Sequence, residues 1–233
     1  MRASCKDLGV VDYAACWQMQ QRLFDALLAE KALRNPQEVR AETDLVGTIL
    51  LVEHPPVYTL GKSGHTENLL IDRAALERLG AQFFHIDRGG DVTFHGPGQV
   101  VCYPILDLEK LGIGLREYIA ALEEAVISTV GAFGITAGRI AGASGVWIHI
   151  AGGMPRKICA IGVRSSRFVT MHGFALNVNT DLHWFSHINP CGFTDKGVTS
   201  MAQECGAEIS MEQVKVLIVK FLSEKLNVKI YNN

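Results

Sequence analysis

The sequence predicts a mixed α/β fold, and three observations support this prediction. Three segments, at 12–34, 115–133 and 210–222, have apolar residues at helical spacing. Between them lie short apolar or alternating runs bounded by Gly and Pro, which are typical of strands. Hydrophobic residues make up 48% of the 233 residues and charged residues 20%, so the chain can bury a large core. No repeat, low-complexity tract or linker divides it, and we expect residues 1–233 to form one domain.

The first half of the chain combines one long helix with strands. Asp12 can cap this helix, whose apolar face contains Cys16 and Phe24. The continuous apolar run from Val46 to Val52 is typical of a strand buried on both faces. The predicted elements are a helix over 12–34, a loop over 35–44, a strand over 46–52, a short helix from Asp72 to Gly80, and strands over 82–88 and 100–106.

The second half has a central helix, three strands and a final helix. Residues 152–155, Gly-Gly-Met-Pro, suit a hairpin-like turn between two of the strands. Ser210 and Gln213 have the spacing of a capping box at the start of the final helix. The predicted elements are a helix over 115–133, strands over 145–150, 157–163 and 168–178, and a helix beginning at Ser210.

The charge balance and the apolar runs exclude several classes of protein. Lys and Arg total 22 and Asp and Glu 24, so the net charge of −2 provides no general attraction for nucleic acid. Lys6 and Asp7 interrupt any signal-peptide core near the N-terminus, and no apolar run is long enough to cross a membrane. We therefore expect a cytoplasmic protein. The six cysteines contain no CxxC pair, and we expect reduced thiols.

Two patterns resemble ligand-binding motifs but fail on their spacing. Residues 61–63, Gly-Lys-Ser, match the end of a phosphate-binding P-loop, but Pro56 occupies the position of its first glycine and has no N–H to donate. His183, His187 and Cys191 recur every four residues like metal ligands on a helix, but a proline precedes the cysteine and breaks any helix there. We expect neither a P-loop nor a metal site.

Two loops carry residues typical of functional sites. Residues 88–99 contain four glycines between two predicted strands, either as a tight connection or as backbone held close to a ligand. In residues 188–193, Cys191 follows a proline and precedes a glycine. It is either an ordinary free thiol or a nucleophile that a neighbouring group activates. The residues themselves leave both alternatives open for each loop.

Five segments of the chain follow one another in a distinctive order. They are RGGDVTFHGPGQ at 88–99, GVWI at 145–148, KICAIGV at 157–163, HGFALNVN at 172–179 and INPCGF at 188–193. In order and spacing they closely resemble the lipoyl(octanoyl) transferase family, and the similarity covers about residues 45–202, including YTLGK at 58–62. The resemblance implies the α/β fold of the biotin and lipoate protein ligase catalytic domains, with a mixed, mainly antiparallel sheet flanked by helices.

The resemblance also implies roles for individual residues. Lys157 and Cys191 would form a catalytic dyad. Phe94 stands where many members of the family have a hydroxylated or larger aromatic ring. The implied substrate-binding residues are Arg88, Gly89, Gly90, Asp91, Val92, Thr93, Phe94, His95, Ala160, Ile161, Gly162, Gly173, Phe174 and Ala175.

The implied reaction is transfer of an octanoyl or lipoyl group from acyl carrier protein, through a Cys191 thioester, to a lysine of a lipoyl domain. This is the first step of protein lipoylation. The implied partners are octanoyl-acyl carrier protein and the lipoyl domains of 2-oxoacid dehydrogenases and of the glycine cleavage H protein, with the chain acting as a monomer. No cofactor is implied, because the substrate is carried on the phosphopantetheine of acyl carrier protein.

Thiol chemistry explains why a lysine and a cysteine suit this reaction. A thiol with a pKa of ~8.5 is only a few per cent thiolate at neutral pH, and a nearby ammonium stabilises the thiolate. Lys157 would supply this charge and then accept a proton from the incoming amine. The alternatives are an ATP-dependent lipoate or biotin ligase on the same fold, and a non-catalytic module that binds an acyl carrier or a lipoyl domain.

Two further expectations concern the pocket itself. Arg164 and Arg167 are predicted at its rim, as contacts for the acidic carrier protein. The eight-carbon tail needs an apolar slot, and the glycines at 89, 90, 162 and 173 are predicted to let it run close to the backbone.

Overall fold

The computed structural model describes residues 1–33, 44–148, 153–189 and 196–232. Of the predicted loop at 35–44, only Asp44 lies within these ranges. Of the predicted turn at 152–155, residues 153–155 lie within them and residue 152 does not. The strands are β1 (Arg2–Val10), β2 (Leu45–Glu53), β3 (Val57–Leu60), β4 (Gln82–His85), β5 (Val92–His95), β6 (Gln99–Leu106), β7 (Gly138–Ile140), β8 (Ala143–Ile148), β9 (Arg156–Ser166), β10 (Val169–Asn177), β11 (Gly197–Val198) and β12 (Lys229–Asn232). The helices are α1 (Tyr13–Leu33), α2 (Arg73–Arg78), α3 (Leu108–Leu111), α4 (Leu115–Gly131), α5 (Met201–Cys205) and α6 (Met211–Leu226), with 3-10 turns at Thr66–Asn68 and Leu182–His187.

A large mixed sheet forms the centre of the molecule. Among the described strands its order is β12-β1-β2-β6-β10-β9-β8-β7, and β11 also pairs with β9. Every pair from β2 to β7 is antiparallel, whereas β1 pairs in parallel with β2 and β12, and β11 pairs in parallel with β9. A smaller sheet has the order β4-β3-β5. The expected mixed, mainly antiparallel sheet is confirmed.

Helices cover both faces of the large sheet. Consecutive residues of β6 point to opposite faces, as the two-residue period of a strand requires. Val100 and Cys102 contribute to the core beneath α4 and α6, whereas Val101 and Tyr103 contribute to the core beneath α1. None of the described helices is long and apolar enough to span a membrane.

The structure confirms the predicted N-cap residues of three helices. The Asp12 carboxylate accepts hydrogen bonds from the N–H groups of Ala14 and Ala15 at the start of α1. The side chain of Asp72 caps α2 in the same way, and that of Ser210 caps α6. Each cap satisfies an N–H group that has no partner within its helix.

The strand predictions were incomplete. They omit β1, β3, β7, β11 and β12, and β4 ends at His85 instead of residue 88. The glycine-rich connection at 88–99 also contains a strand, β5. β5 exists because it pairs with β3, and Val57 opposes His95 across 38 residues of sequence. Pairing of this kind leaves no local pattern from which it could be predicted.

Candidate active site

A cavity lies where the loop before β5 crosses the strands β9 and β10. The N–H of Gly89 in this loop donates a hydrogen bond to the Val163 carbonyl on β9, at 3.0 Å. The cavity is lined by Tyr13, Arg88, Gly89, Gly90, Asp91, Val92, Thr93, His95, Gln99, Val101, Tyr103, Ser144, Lys157, Ala160, Ile161, Gly162, His172, Gly173, Phe174, Ala175, Asn177, Phe185 and Val198.

The fold brings together almost all the described residues that the sequence predicts for the site. All six residues of the stretches 160–162 and 173–175 line the cavity, together with Lys157 and seven residues of 88–95. Phe94 is the exception, because its ring stacks on Trp184 at 5.2 Å within a separate apolar cluster. Cys191 lies outside the described residues.

Buried charged side chains fix the loop at 88–91. The Arg88 guanidinium donates hydrogen bonds to the carbonyl and hydroxyl oxygens of Thr59, at 2.7 and 3.0 Å. The Asp91 carboxylate accepts from the His65 N–H and the Asn68 amide, at 3.1 and 2.6 Å. These charges hold protein segments against one another, so they position the backbone of the cavity wall.

Two of the predicted glycines serve strand packing. A Cβ at Gly162 would lie 2.9 Å from the Gly89 carbonyl oxygen, and one at Gly173 would lie 2.1 Å from the Cys102 carbonyl oxygen. Protein backbone therefore occupies the space that a side chain would need at both positions. Both glycines also line the cavity, and their contact with an acyl tail stays a prediction.

Lys157 enters the cavity from β9, where the strand lies between β8 and β11. Its Nζ lies 4.6 Å from the centre of the Trp147 ring, whose face attracts a cation. A Cβ at Gly145 would lie 3.5 Å from the Lys157 Cε, and the φ of Gly145 is 109°. Thr199, which follows β11, donates its N–H to the Lys157 carbonyl at 3.0 Å. The lysine is thus held between three neighbouring segments.

The described cysteines are poor candidates for a nucleophile. Cys159 is completely buried, and burial raises its pKa although the charge of Lys157 acts in the opposite direction. Burial likewise raises the thiol pKa of Cys5, Cys16 and Cys102. Cys205 is exposed, outside the cavity lining, with its Sγ 3.8 Å from the Phe133 carbonyl. All five are free thiols.

A chain of hydrogen bonds in the cavity wall links His95, which the sequence predicted for the site, to Gln99 and Asn177, which it did not. The Nδ1 of His95 bonds to Gln99 Oε1 at 2.8 Å, Gln99 Nε2 donates to Asn177 Oδ1 at 2.9 Å, and Asn177 Nδ2 donates to the Thr199 carbonyl at 3.0 Å. Because the Gln99 oxygen accepts, Nδ1 of His95 carries the proton. Burial, followed by the nearby His54, lowers the pKa of His95 to about 3. Polar residues within the apolar strands β6 and β10 were the available signal.

A second polar group includes His172, which the sequence analysis also missed. Its Nε2 lies 2.9 Å from Asp87 Oδ1, and Asp87 also pairs with Arg164. The hydrogen bond from His172 and then the charge of Arg164 lower the pKa of Asp87. Arg164 is therefore engaged within the protein. Arg167 lies in the turn after β9 and outside the cavity lining, and its position at the rim stays a prediction.

The histidines at 183 and 187 lie outside the cavity lining. Their rings are 5.5 Å apart, and His187 Nδ1 is hydrogen-bonded to the Tyr58 hydroxyl at 2.9 Å. Within the described ranges, no three His, Cys, Asp or Glu side chains are grouped as metal ligands.

Comparison with known structures identifies the fold. The fold matches a bi-partite lipoate protein ligase from Thermoplasma acidophilum with a TM-score of 0.71, at 15% identity, covering 100% of this chain and 87% of the other. It also matches a biotin protein ligase from Aquifex aeolicus, in complex with biotin and ATP, with a TM-score of 0.52, at 14% identity over 97% and 71% of the two chains. The expected ligase-like fold is confirmed.

Comparison of sequences identifies the family. Residues 12–223 match the lipoyl protein ligase A/B catalytic domain. An octanoyltransferase from Bacteroides thetaiotaomicron is 51% identical over 229 residues, which cover 98% of this chain and 97% of that protein. The chain belongs to the octanoyltransferase family, as the five sequence segments predicted.

Proposed function

We propose that this protein transfers an octanoyl group from the phosphopantetheine thiol of acyl carrier protein to Cys191, and from there to a lysine of a lipoyl domain. Membership of the octanoyltransferase family supports the overall reaction. The observation that carries the residue assignment is that Lys157 lines the same cavity as the three predicted binding stretches. Val92, Ile161 and Phe174 give this cavity apolar surface for an eight-carbon chain.

The assignment of Cys191 is supported by the segments that flank it. Phe185 and Val198, on either side of residues 190–195 in sequence, both line the cavity. Asn189 is attached by a 2.7 Å hydrogen bond from its N–H to the Asn68 carbonyl, and Val198 pairs directly with Lys157. The described thiols are buried or outside the cavity, so Cys191 is the best candidate for the nucleophile.

The first half-reaction exchanges one thioester for another. The Cys191 thiolate attacks the carbonyl carbon of the octanoyl thioester, and the bond from that carbon to the pantetheine sulfur breaks. The departing pantetheine thiolate takes a proton, and Lys157 is the group that stores the proton from Cys191 and returns it. No ATP is needed, because the donor is already activated.

The second half-reaction forms an amide. The amine of the lipoyl-domain lysine attacks the Cys191 thioester, a carbon–nitrogen bond forms and the carbon–sulfur bond breaks. Lysine amines have a reference pKa of ~10.4, so they are largely protonated and non-nucleophilic at neutral pH. Neutral Lys157 would accept the surplus proton from the attacking amine.

Intact mass spectrometry after mixing with octanoyl-acyl carrier protein tests the proposal. We expect the mass to rise by one octanoyl group, and we expect Cys191→Ser to abolish both this adduct and transfer. Cys205→Ser is the matched control, since it removes an exposed thiol outside the cavity lining. An adduct that persists in Cys191→Ser would contradict the assignment.

The same preparation tests the ATP-dependent alternative. With free octanoate and ATP we expect no release of pyrophosphate, because the proposed donor is a thioester. Pyrophosphate release with octanoylation of a lipoyl domain, and without an adduct on Cys191, would instead identify a ligase.

A further inference from the structure

His172 has an unusual backbone conformation within β10. Consecutive residues of a regular strand point to opposite faces of a sheet. Met171 lies in the core beneath α1, yet the next residue, His172, also lies on that side, where it contacts Asp87 and its N–H donates to Gln20 of α1. The φ of 61° at His172 permits this arrangement, because the left-handed conformation redirects the side chain. The imidazole is thereby placed in the cavity wall.

Two features of His172 are unfavourable for stability. A left-handed φ is costly for a residue other than glycine. His172 is only 1% exposed, and its buried Nδ1 has no hydrogen-bond partner among the described residues. Because Asp87 accepts the Nε2 proton, Nδ1 of the neutral ring presents a lone pair. Glycine would adopt this φ without strain, so the backbone conformation does not require an imidazole here.

The distance from Lys157 to His172 can be counted along β9. The Cε of Lys157 and the carbonyl oxygen of Cys159 both lie within 3.5 Å of the Cβ position at Gly145, so the end of the lysine is level with Cys159. His172 pairs with Val163, which is four residues further along the strand. Four residues of β-strand span about 13 Å.

This span matches the length of an octanoyl chain. Three backbone bonds extend over about 3.6 Å, so the seven carbon–carbon bonds of an octanoyl group extend over roughly 8–9 Å. A van der Waals gap at the methyl end adds about 4 Å. The wall between the two positions is formed by Ala160, Ile161 and Gly162.

We propose that His172 closes the distal end of the acyl-binding cavity and limits the acyl group to about eight carbons. This inference rests on the proposed function, since it places the thioester near Lys157. A longer chain would have to displace the ring and push methylene groups against the paired charges of Asp87 and Arg164. Apolar groups cannot replace the hydrogen bonds of these polar atoms, so longer chains are disfavoured.

The chain-length preference of His172→Gly tests the inference. Glycine accepts the left-handed φ and removes the end wall, so the variant is expected to fold. We expect the ratio of kcat/KM for dodecanoyl- over octanoyl-acyl carrier protein to rise at least tenfold. Asparagine also tolerates this φ and is smaller than histidine. His172→Asn should therefore open the end of the cavity as well and raise the same ratio. A merely structural histidine would lower both rates without changing their ratio.

Asn227→Gly is the matched control. Asn227 ends α6 with a φ of 51°, outside the cavity lining, so glycine relieves a similar conformation without changing the wall. We expect its ratio to equal that of the unaltered protein. An unchanged ratio in both His172 variants would overturn the inference. If the unaltered protein forms no octanoyl adduct on Cys191, the proposed function fails instead, so the two failures are distinguishable.

Discussion

Lys157 and Cys159 lie two residues apart on β9 but in opposite environments. Lys157 faces the cavity and the Trp147 ring, whereas Cys159 is completely buried in the core beneath α4 and α6. Desolvation of Cys159 outweighs the charge of Lys157, and its pKa rises. Proximity of a lysine is therefore insufficient to activate a thiol, and exposure decides which cysteine can react.

Replacement of Lys157 separates its two proposed tasks. We expect Lys157→Met to slow iodoacetamide labelling of Cys191 about tenfold at neutral pH, because loss of one positive charge disfavours the thiolate. Lys157→Arg keeps the charge but cannot release a proton, so labelling should stay fast while transfer to the lipoyl domain fails. Peptide mass spectrometry measures the labelling. Lys62→Met, which removes an exposed lysine outside the cavity lining, is the control. Equal labelling rates in all variants would disprove the coupling.

His95 should make the protein sensitive to acid. Its pKa is lowered from 6.5 to about 3 in the folded protein. The unfolded chain therefore binds a proton between these pH values that the folded protein does not bind, and stability is lost as the pH falls below 6.5. We expect a loss of about 2 kcal/mol between pH 7 and pH 5 from this residue.

Urea unfolding at pH 7 and pH 5 measures this contribution. His95→Gln should reduce the difference in unfolding free energy between the two pH values. His65→Gln is the control, because His65 is exposed. If both variants lose as much stability as the unaltered protein on acidification, His95 is not the group responsible.

At the scale of elements, β6 and β10 approach too closely for a side chain at one position. The two strands pair in antiparallel fashion, with Phe174 opposite Cys102. A Cβ at Gly173 would lie 2.1 Å from the Cys102 carbonyl oxygen and 2.7 Å from the ring of Pro104. The close approach brings residues 173–175 into the cavity wall next to β9.

Gly173→Ala should therefore weaken the sheet. Neighbouring backbone must move to accept the methyl group, and we expect a loss of about 2–4 kcal/mol in unfolding free energy. Gly138→Ala in β7 is the matched control, because no atom lies within 4 Å of a Cβ there. Urea unfolding compares the two variants. A Gly173→Ala protein as stable as Gly138→Ala would show that the strands can separate at little cost.

For the whole molecule, the two ends of the chain are joined in the sheet. β1 pairs in parallel with β12, from Arg2 opposite Lys229 to Cys5 opposite Asn232, and with β2 on its other side. Ile230 packs against the core beneath α4 and α6. The cavity lies further along the sheet, against β6, β10 and β9.

Removal of residues 229–233 should lower stability without changing the cavity. The deletion exposes the edge of β1 and removes the packing of Ile230, so we expect a loss of roughly 2 kcal/mol, or about 5 °C in Tm. Octanoyl transfer at 20 °C should be retained. Differential scanning calorimetry and the adduct assay measure the two effects, and Lys229→Ala, which leaves the strand in place, is the control. Loss of transfer in a folded truncated protein would contradict this separation.

Local signals along the chain were sufficient to predict the long helices and the family. The long helices and their caps were predictable because helical spacing and capping residues act within a few positions. The segments 88–95, 157–163 and 172–175 carried the family and most of the cavity wall. Which glycines pack against neighbouring backbone, and which charged side chains form ion pairs, could not be predicted, because both depend on residues far apart in sequence. Gly173 meets Cys102, and His172 meets Asp87, across distances that no local pattern encodes.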